Sequence, residues 1–211
     1  MIYPAAPRIQ TITLALTGAS GMPYARRLLA CLVQAKIKIW LLYSQAAQIV
    51  AQQELNWQLP ANAKQCTAAL CAEFGIEDTM LTAFGRDEWF APPASGSNPA
   101  DAMVICPASM GCIAAIANGT SDHLLERAAD VCIKENRQLI VVPRESPFSA
   151  IHLENMLKLA RLGVCILPPS PGFYLKPTSL DDMVDFVVAR ILDQLHISHQ
   201  LTKRWGNNLI N

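Results

Sequence analysis

Charge is scarce in this chain. Asp, Glu, Lys and Arg make up 16% of its 211 residues, against about 25% in an average soluble domain. The 17 Lys and Arg are cancelled by 17 Asp and Glu, for a net charge of +0. Such a balance exerts no long-range pull on nucleic acid or on an anionic membrane surface, so neither is expected as a partner. No apolar run reaches the roughly 18 residues of a spanning helix, and the N-terminus lacks the charged-then-apolar pattern of a secretory signal. A cytoplasmic location is the expectation. Metal ligands at usable spacing are missing too: Cys66 and Cys71 are too far apart for a C-x₂-C pair, and the four histidines (His123, His152, His196, His199) form no H-E-x-x-H. No metal is expected.

Apolar residues are plentiful. They reach 52% of the chain, and the mean hydropathy is positive. With so little charge, something besides water must cover the surface, and subunit contacts explain this most simply. A large homo-oligomer is the expectation. The seven cysteines are an odd number, mostly inside apolar runs (Cys31, Cys106, Cys132, Cys165), the pattern of reduced core thiols. The length fits a single domain over residues 1–211.

Five β-rich apolar runs each end at a small or proline-bearing loop and are followed by a segment of helical period. Ile9 to Thr17 leads into Gly18-Ala19-Ser20-Gly21 and a helix starting near Pro23, and Ile37 to Tyr43 leads into Ser44 as an N-cap and a helix to about Leu55. Ala102 to Cys106 leads into Pro107-Ala108-Ser109-Met110-Gly111 and a short helix that Asn118-Gly119 stops. Leu139 to Val142 is followed by Pro143 to Pro147, with Ser149 capping a helix, and Val164 to Leu167 by Pro168 to Tyr174 and a last helix from about Ser179. The alternation predicts an α/β fold: a single-domain, doubly wound, Rossmann- or flavodoxin-like sheet, mostly parallel, with helices on both faces. In such sheets ligands bind beyond the carboxyl ends of the strands, where all of these loops lie. Residues 56–97 break the rhythm and read as a loop-rich excursion over the site or toward a neighbour, and a polar tail begins at about residue 196.

Thr17-Gly18-Ala19-Ser20-Gly21, at a strand-to-helix junction, offers backbone N–H groups, a hydroxyl and a helix start to a bound group, or serves as a packing turn. It is neither G-x-G-x-x-G nor a Walker loop, and G-A-S-G lacks the G-x-S-x-G frame of a serine hydrolase. Ser109 and Gly111 make a second loop of the same kind, or a proline turn capped by serine. Arg127 and Lys134, seven apart in a helix from about Asp122 to Asn136, share a half-apolar stripe with Leu124 and Val131. That placement points either to a partner anion, a carboxylate or a ligand phosphate, or to a solvated charged face. Arg144 and Glu145 follow a strand at the expected crevice, where they pair with each other or divide anion binding and proton transfer. Trp89, amid prolines and small residues, fits a lid, an interface or a ligand contact. Tyr174 ends a stiff proline-rich loop, and Trp205 reads as a tail anchor.

Taken together, T-G-A-S-G with Tyr24, Trp89-x-A-P-P-A-S-G-S, V-I-C-P-x-S-x-G, L-E-R-A-A-D-V-x-x-K-E, V-P-R-E-x-P-F-S-x-I-H-L-E-N-M-L-K-L and P-G-F-Y resemble the flavin prenyltransferases of the UbiX type over nearly the whole chain. The resemblance implies metal-independent transfer of a dimethylallyl group from dimethylallyl phosphate to reduced FMN, closing a ring between N5 and C6. The product, prenylated FMN, would serve UbiD-type decarboxylases, in many bacteria within ubiquinone synthesis. It further implies FMN contacts from Gly18, Ala19, Ser20, Ser44, Ser109, Met110, Gly111, Cys112 and Arg144, and a prenyl-phosphate set of Ser95, Gly96, Arg127, Lys134, Tyr174 and Arg190. Ser20, Glu54 and Glu145 would handle protons, Trp89 would present its ring to the allylic group, and the assembly would be a dodecamer. Met110 and Cys112 depart from the small or hydroxylic residues common at those positions, which leaves backbone rather than hydroxyl contacts there. Two other readings stand beside this one: an FMN-dependent decarboxylase of the phosphopantothenoylcysteine or Cys-peptide type, and a non-catalytic FMN-holding subunit. The former needs a histidine near the first helix, and no histidine precedes His123.

Overall fold

The computed structural model describes residues 9–202. Six parallel strands lie in the order β3-β2-β1-β4-β5-β6: β1 Thr11–Leu16, β2 Lys38–Tyr43, β3 Leu81–Phe84, β4 Ala102–Ala108, β5 Gln138–Pro143 and β6 Cys165–Ile166. Among the described residues seven α-helices accompany them: α1 Met22–Gln34, α2 Gln45–Leu55, α3 Ala63–Phe74, α4 Met110–Ala117, α5 Leu124–Lys134, α6 Ala150–Arg161 and, after the last strand, α7 Leu180–Gln194. This is the expected doubly wound fold, with its direction of winding reversed between β1 and β4.

Alternation along each strand splits the core in two. Ile12, Leu14 and Leu16 of β1 face α1, α2, α3 and α7, where Leu28, Leu32, Ala51, Leu70, Val187 and Ile191 are buried. Ala15 of β1 faces the other way, with Ile105 and Val141, toward Ile113, Leu125, Ala128 and Met156 of α4, α5 and α6. Central strands buried on both faces read as continuous apolar runs, which is why β1, β4 and β5 are plain in the sequence.

Residues 56–97 differ from the loop-rich expectation, since they contain α3 and the edge strand β3. β3 has only four residues, alternately buried and half-buried, and pairs with β2 from Ile39 opposite Leu81 to Leu42 opposite Phe84. So short an edge strand carries little periodic signal. Pro107, expected in a loop, lies inside β4, within a register irregularity between Ile105 and Ala108. The segment after α7 is not merely polar: Ile197 and Leu201 pack against the core. Trp205 lies outside the described residues.

Candidate active site

The site forms where the winding reverses. Thr17, 3% exposed at the end of β1, joins the loops after β1 and β4. Its hydroxyl donates to the Pro107 carbonyl at 2.8 Å and accepts the Ser109 N–H at 2.7 Å. A Cβ on Gly18 would fall on the methyl of Ala46, so this loop touches the first turn of α2. Ser44 caps α2 by accepting the Ala47 N–H at 3.1 Å, and its own N–H donates to the Leu16 carbonyl at 3.0 Å. Gly21 has φ 127°, a conformation L side chains avoid, and offers α1 no side-chain cap. The Glu54 carboxylate supplies one from the end of α2: it accepts the Gly21 N–H at 3.0 Å and the Met22 N–H at 2.8 Å. Negative charge is favourable at that helix end.

The start of α4 is left more open. Ser109 caps it through the Cys112 N–H at 3.4 Å, while the N–H groups of Met110 and Gly111 have no acceptor among the described residues. A Cβ on Gly111 would meet nothing within 4 Å. Glycine inside a helix costs up to about 1 kcal/mol relative to alanine, so an unfilled space there is consistent with close approach by a ligand. Burial, and then the charge of Glu126, push the Cys112 thiol up to about 12, so it is a neutral thiol at pH 7.

Arg144 closes the third side. Its N–H donates to the Ala108 carbonyl at 3.3 Å and its Nε to the Ser20 carbonyl at 3.3 Å. Arg144 and Glu145 therefore form no ion pair with each other. Glu145 is exposed, one carboxylate oxygen accepting the Ser146 N–H at 3.1 Å. Ser20 is exposed beside Arg144. Tyr24, half-buried one turn into α1, has its phenol pushed up by burial first and then by Cys106 and Glu54.

Beside this crevice a cavity of about 280 Å³ lies between the ends of β2 and β3 and the start of α5, lined by Ser44, Gln48, Phe84, Arg86 and His123 among others. His123 caps α5, accepting the Glu126 N–H at 3.4 Å, and its Nε2 lies 3.2 Å from the carboxylate of Glu126, which is 8% exposed. Arg86 and His123 are absent from the residues the sequence pointed to, and Thr17 appeared there only as the head of the first loop. Thr17 was a visible hydroxyl at a strand end, whereas Arg86 follows a strand that went unrecognised.

The expected phosphate set separates into two groups. Ser95 and Gly96 lie along α5: Arg127 donates through Nε to the Ala94 carbonyl at 3.2 Å, and a Cβ on Gly96 would come within 2.8 Å of Lys134 Nζ. Arg127 has its carboxylate in Asp130 at 2.6 Å, and Lys134 pairs with Glu135 at 2.6 Å. Tyr174 and Arg190 belong with α7, on the opposite face of the sheet, where the Tyr174 ring meets Phe186 edge-on at 6.0 Å. Trp89 is 44% exposed and Phe90 wholly so, after β3.

A 3-2-1-4-5-6 sheet with two helix starts and an arginine converging on the point of reversal defines a nucleotide- or flavin-binding α/β protein. The chain belongs to the flavoprotein family, whose model matches residues 2–192. Within it the chain groups with the UbiX-type flavin prenyltransferases. It is 53% identical to flavin prenyltransferase UbiX of Pseudomonas aeruginosa over 197 residues, 93% of this chain and 94% of that one. It is 43% identical to the UbiX of Methanocaldococcus jannaschii, over 92% of this chain and 98% of that one. Among solved structures, a dodecameric FMN-dependent UbiX-like decarboxylase from Escherichia coli O157:H7 superposes with a TM-score of 0.82 at 37% identity, covering 93% of this chain and 99% of that one. AnUbiX (PadA1), in complex with FMN and dimethylallyl pyrophosphate, gives 0.83 at 35% identity, covering 94% of this chain and 98% of that one. A PPC decarboxylase mutant is 18% identical with a TM-score of 0.55, a likeness of fold alone.

Proposed function

We propose that this protein transfers a dimethylallyl group from a dimethylallyl phosphate to reduced FMN, without a metal, in the cytoplasm. The observation that carries the reading is the convergence of Thr17 to Gly21, Ser109 to Cys112 and Arg144 on one crevice, in a chain 53% identical to a UbiX flavin prenyltransferase. FMN fits this crevice: Gly111 leaves room for it, the free N–H groups at the start of α4 suit its polar edge, and Arg144 suits an anionic or carbonyl oxygen. When bound and reduced, it supplies the electron-rich ring that accepts the prenyl group.

The chain's own groups divide the remaining work. Arg127, Lys134, Tyr174 and Arg190, with Ser95 and Gly96, hold the leaving phosphate and take up its developing charge. Trp89 shields the allylic carbon from water and offers a π face, a contact of about 2 kcal/mol when desolvated. Glu145 accepts the ring proton lost on closure, and Ser20 relays protons beside it. Glu54, held by the start of α1, fixes the backbone next to Ser20. Because the residues assigned to the phosphate lie on both faces of the sheet, a complete site draws on more than one chain. That agrees with a dodecameric homo-oligomer and with the exposed Phe90, Phe148, Ile151, Leu157 and Leu180. The product's recipient is a UbiD-type decarboxylase.

The test is an anaerobic incubation with reduced FMN, dimethylallyl phosphate and a chelator, followed by the mass of the extracted flavin. A gain of one five-carbon unit is expected, and it is expected to be lost in Glu145→Gln while FMN binding is kept. Unchanged flavin with either the mono- or the diphosphate donor overturns the reading in favour of a flavin-holding subunit or a decarboxylase.

A further inference from the structure

The last helix and the segment after it carry a polar chain of which the proposed chemistry uses only Arg190. Arg190 Nη1 donates to Asp193 Oδ2 at 2.7 Å. The other oxygen, Asp193 Oδ1, lies 3.1 Å from His199 Nε2, and His199 Nδ1 accepts the Leu201 N–H at 3.4 Å. With Nδ1 accepting, the proton of a neutral imidazole sits on Nε2 and is donated to Asp193, so one tautomer satisfies both ring nitrogens. The two ends of this chain differ sharply in exposure: the His199 side chain is 8% exposed and that of Arg190 52%.

An exposed ion pair one helical turn apart contributes little to stability by itself. Here, however, the carboxylate is anchored from behind by a buried ring, and that ring fixes the course of residues 199–201, which pack back toward α7. Only one of the five N–H donors of Arg190 is spent among the described residues, so the guanidinium is held by a corner and keeps other donors for a phosphate. Phe186, one turn before Arg190 on the same stripe of α7, carries the ring contact to Tyr174. Arg190 and Tyr174 are thus two ends of one supported strip.

We infer that Asp193 and His199 are positioning residues that hold the Arg190 guanidinium in place for the prenyl phosphate. This rests on the proposed function. The bonds at stake are hydrogen bonds only, and neither residue touches the reacting atoms.

The test compares Asp193→Asn, His199→Ala and His199→Gln in the full FMN-loaded protein with dimethylallyl phosphate as probe. The glutamine amide N–H can donate where His199 Nε2 donates. Expected for Asp193→Asn and His199→Ala is a KM for dimethylallyl phosphate raised about tenfold, the scale of losing one oriented charge-assisted contact. kcat at saturation and the Kd for FMN are expected to stay near wild type, and His199→Gln is expected to recover most of the KM. An unchanged or lowered KM in Asp193→Asn overturns the inference, as does His199→Gln behaving like His199→Ala. A joint fall of kcat, FMN affinity and Tm overturns it too, since that marks a structural role. If wild type makes no prenylated flavin at all, the functional reading itself has failed, which is a separate result.

Discussion

The hydroxyl of Thr17 satisfies two backbone groups at once, the Pro107 carbonyl and the Ser109 N–H, at a nearly dry position. Thr17→Val keeps the shape and removes both bonds, so it is expected to cost about 1–3 kcal/mol. It is also expected to loosen FMN binding, because the loops after β1 and β4 lose their link. Urea denaturation and a flavin titration check this, with Thr17→Ser close to wild type. Trp89 invites a different comparison. If its ring face and its bulk shield the allylic group, Trp89→Phe retains most of the rate and Trp89→Ala loses about tenfold or more, within the roughly 2 kcal/mol of a desolvated cation–π contact. Equal single-turnover rates for the two variants would remove the π-face role.

At the scale of elements, the helix starts decide which loops stay free. α1 begins on a glycine and borrows the Glu54 carboxylate, whereas α2, α4, α6 and α7 carry their own serine caps. Glu54→Gln is expected to lower stability by about 0.3–1 kcal/mol through the lost charge at the helix end, with prenyl transfer within about twofold of wild type. A loss beyond tenfold would instead give Glu54 a part in proton transfer. The serine caps were legible in the sequence because each stands directly before a segment of helical period, as Ser44 and Ser149 do. So were β1, β4 and β5, whose residues are buried on both sides. α3 and β3 were not: Leu81 to Phe84 is a four-residue edge, and the buried side of α3 is built from Cys66, Thr67, Leu70 and Cys71, a weak apolar stripe. For the site, the loops could be located from the chain alone, but the division of Arg127 and Lys134 from Arg190 could not. Which face a helix covers depends on crossovers that no local pattern specifies.

Across the whole molecule, burial sets how the thiols behave. Cys106, Cys112 and Cys132 are each pushed from an ordinary 9.0 up to about 12, by burial above all. Between those values the folded chain keeps protons that an unfolded chain gives up. This contribution to stability is therefore full below about pH 9 and declines as the pH rises toward 12. The urea midpoint is expected to be lower at pH 10 than at pH 8, and slow modification by a thiol reagent at pH 8 should become fast only on unfolding. A higher midpoint at pH 10, or several thiols reacting within minutes in the folded protein, would contradict this.

The sheet that separates Arg127 from Arg190 also makes protein concentration a variable of the chemistry. On the proposed reading a lone chain holds two halves of different sites, so dilution past the assembly constant is expected to extinguish turnover. Supply of the prenylated cofactor would then follow the amount of the protein more steeply than in proportion, behaving as a threshold.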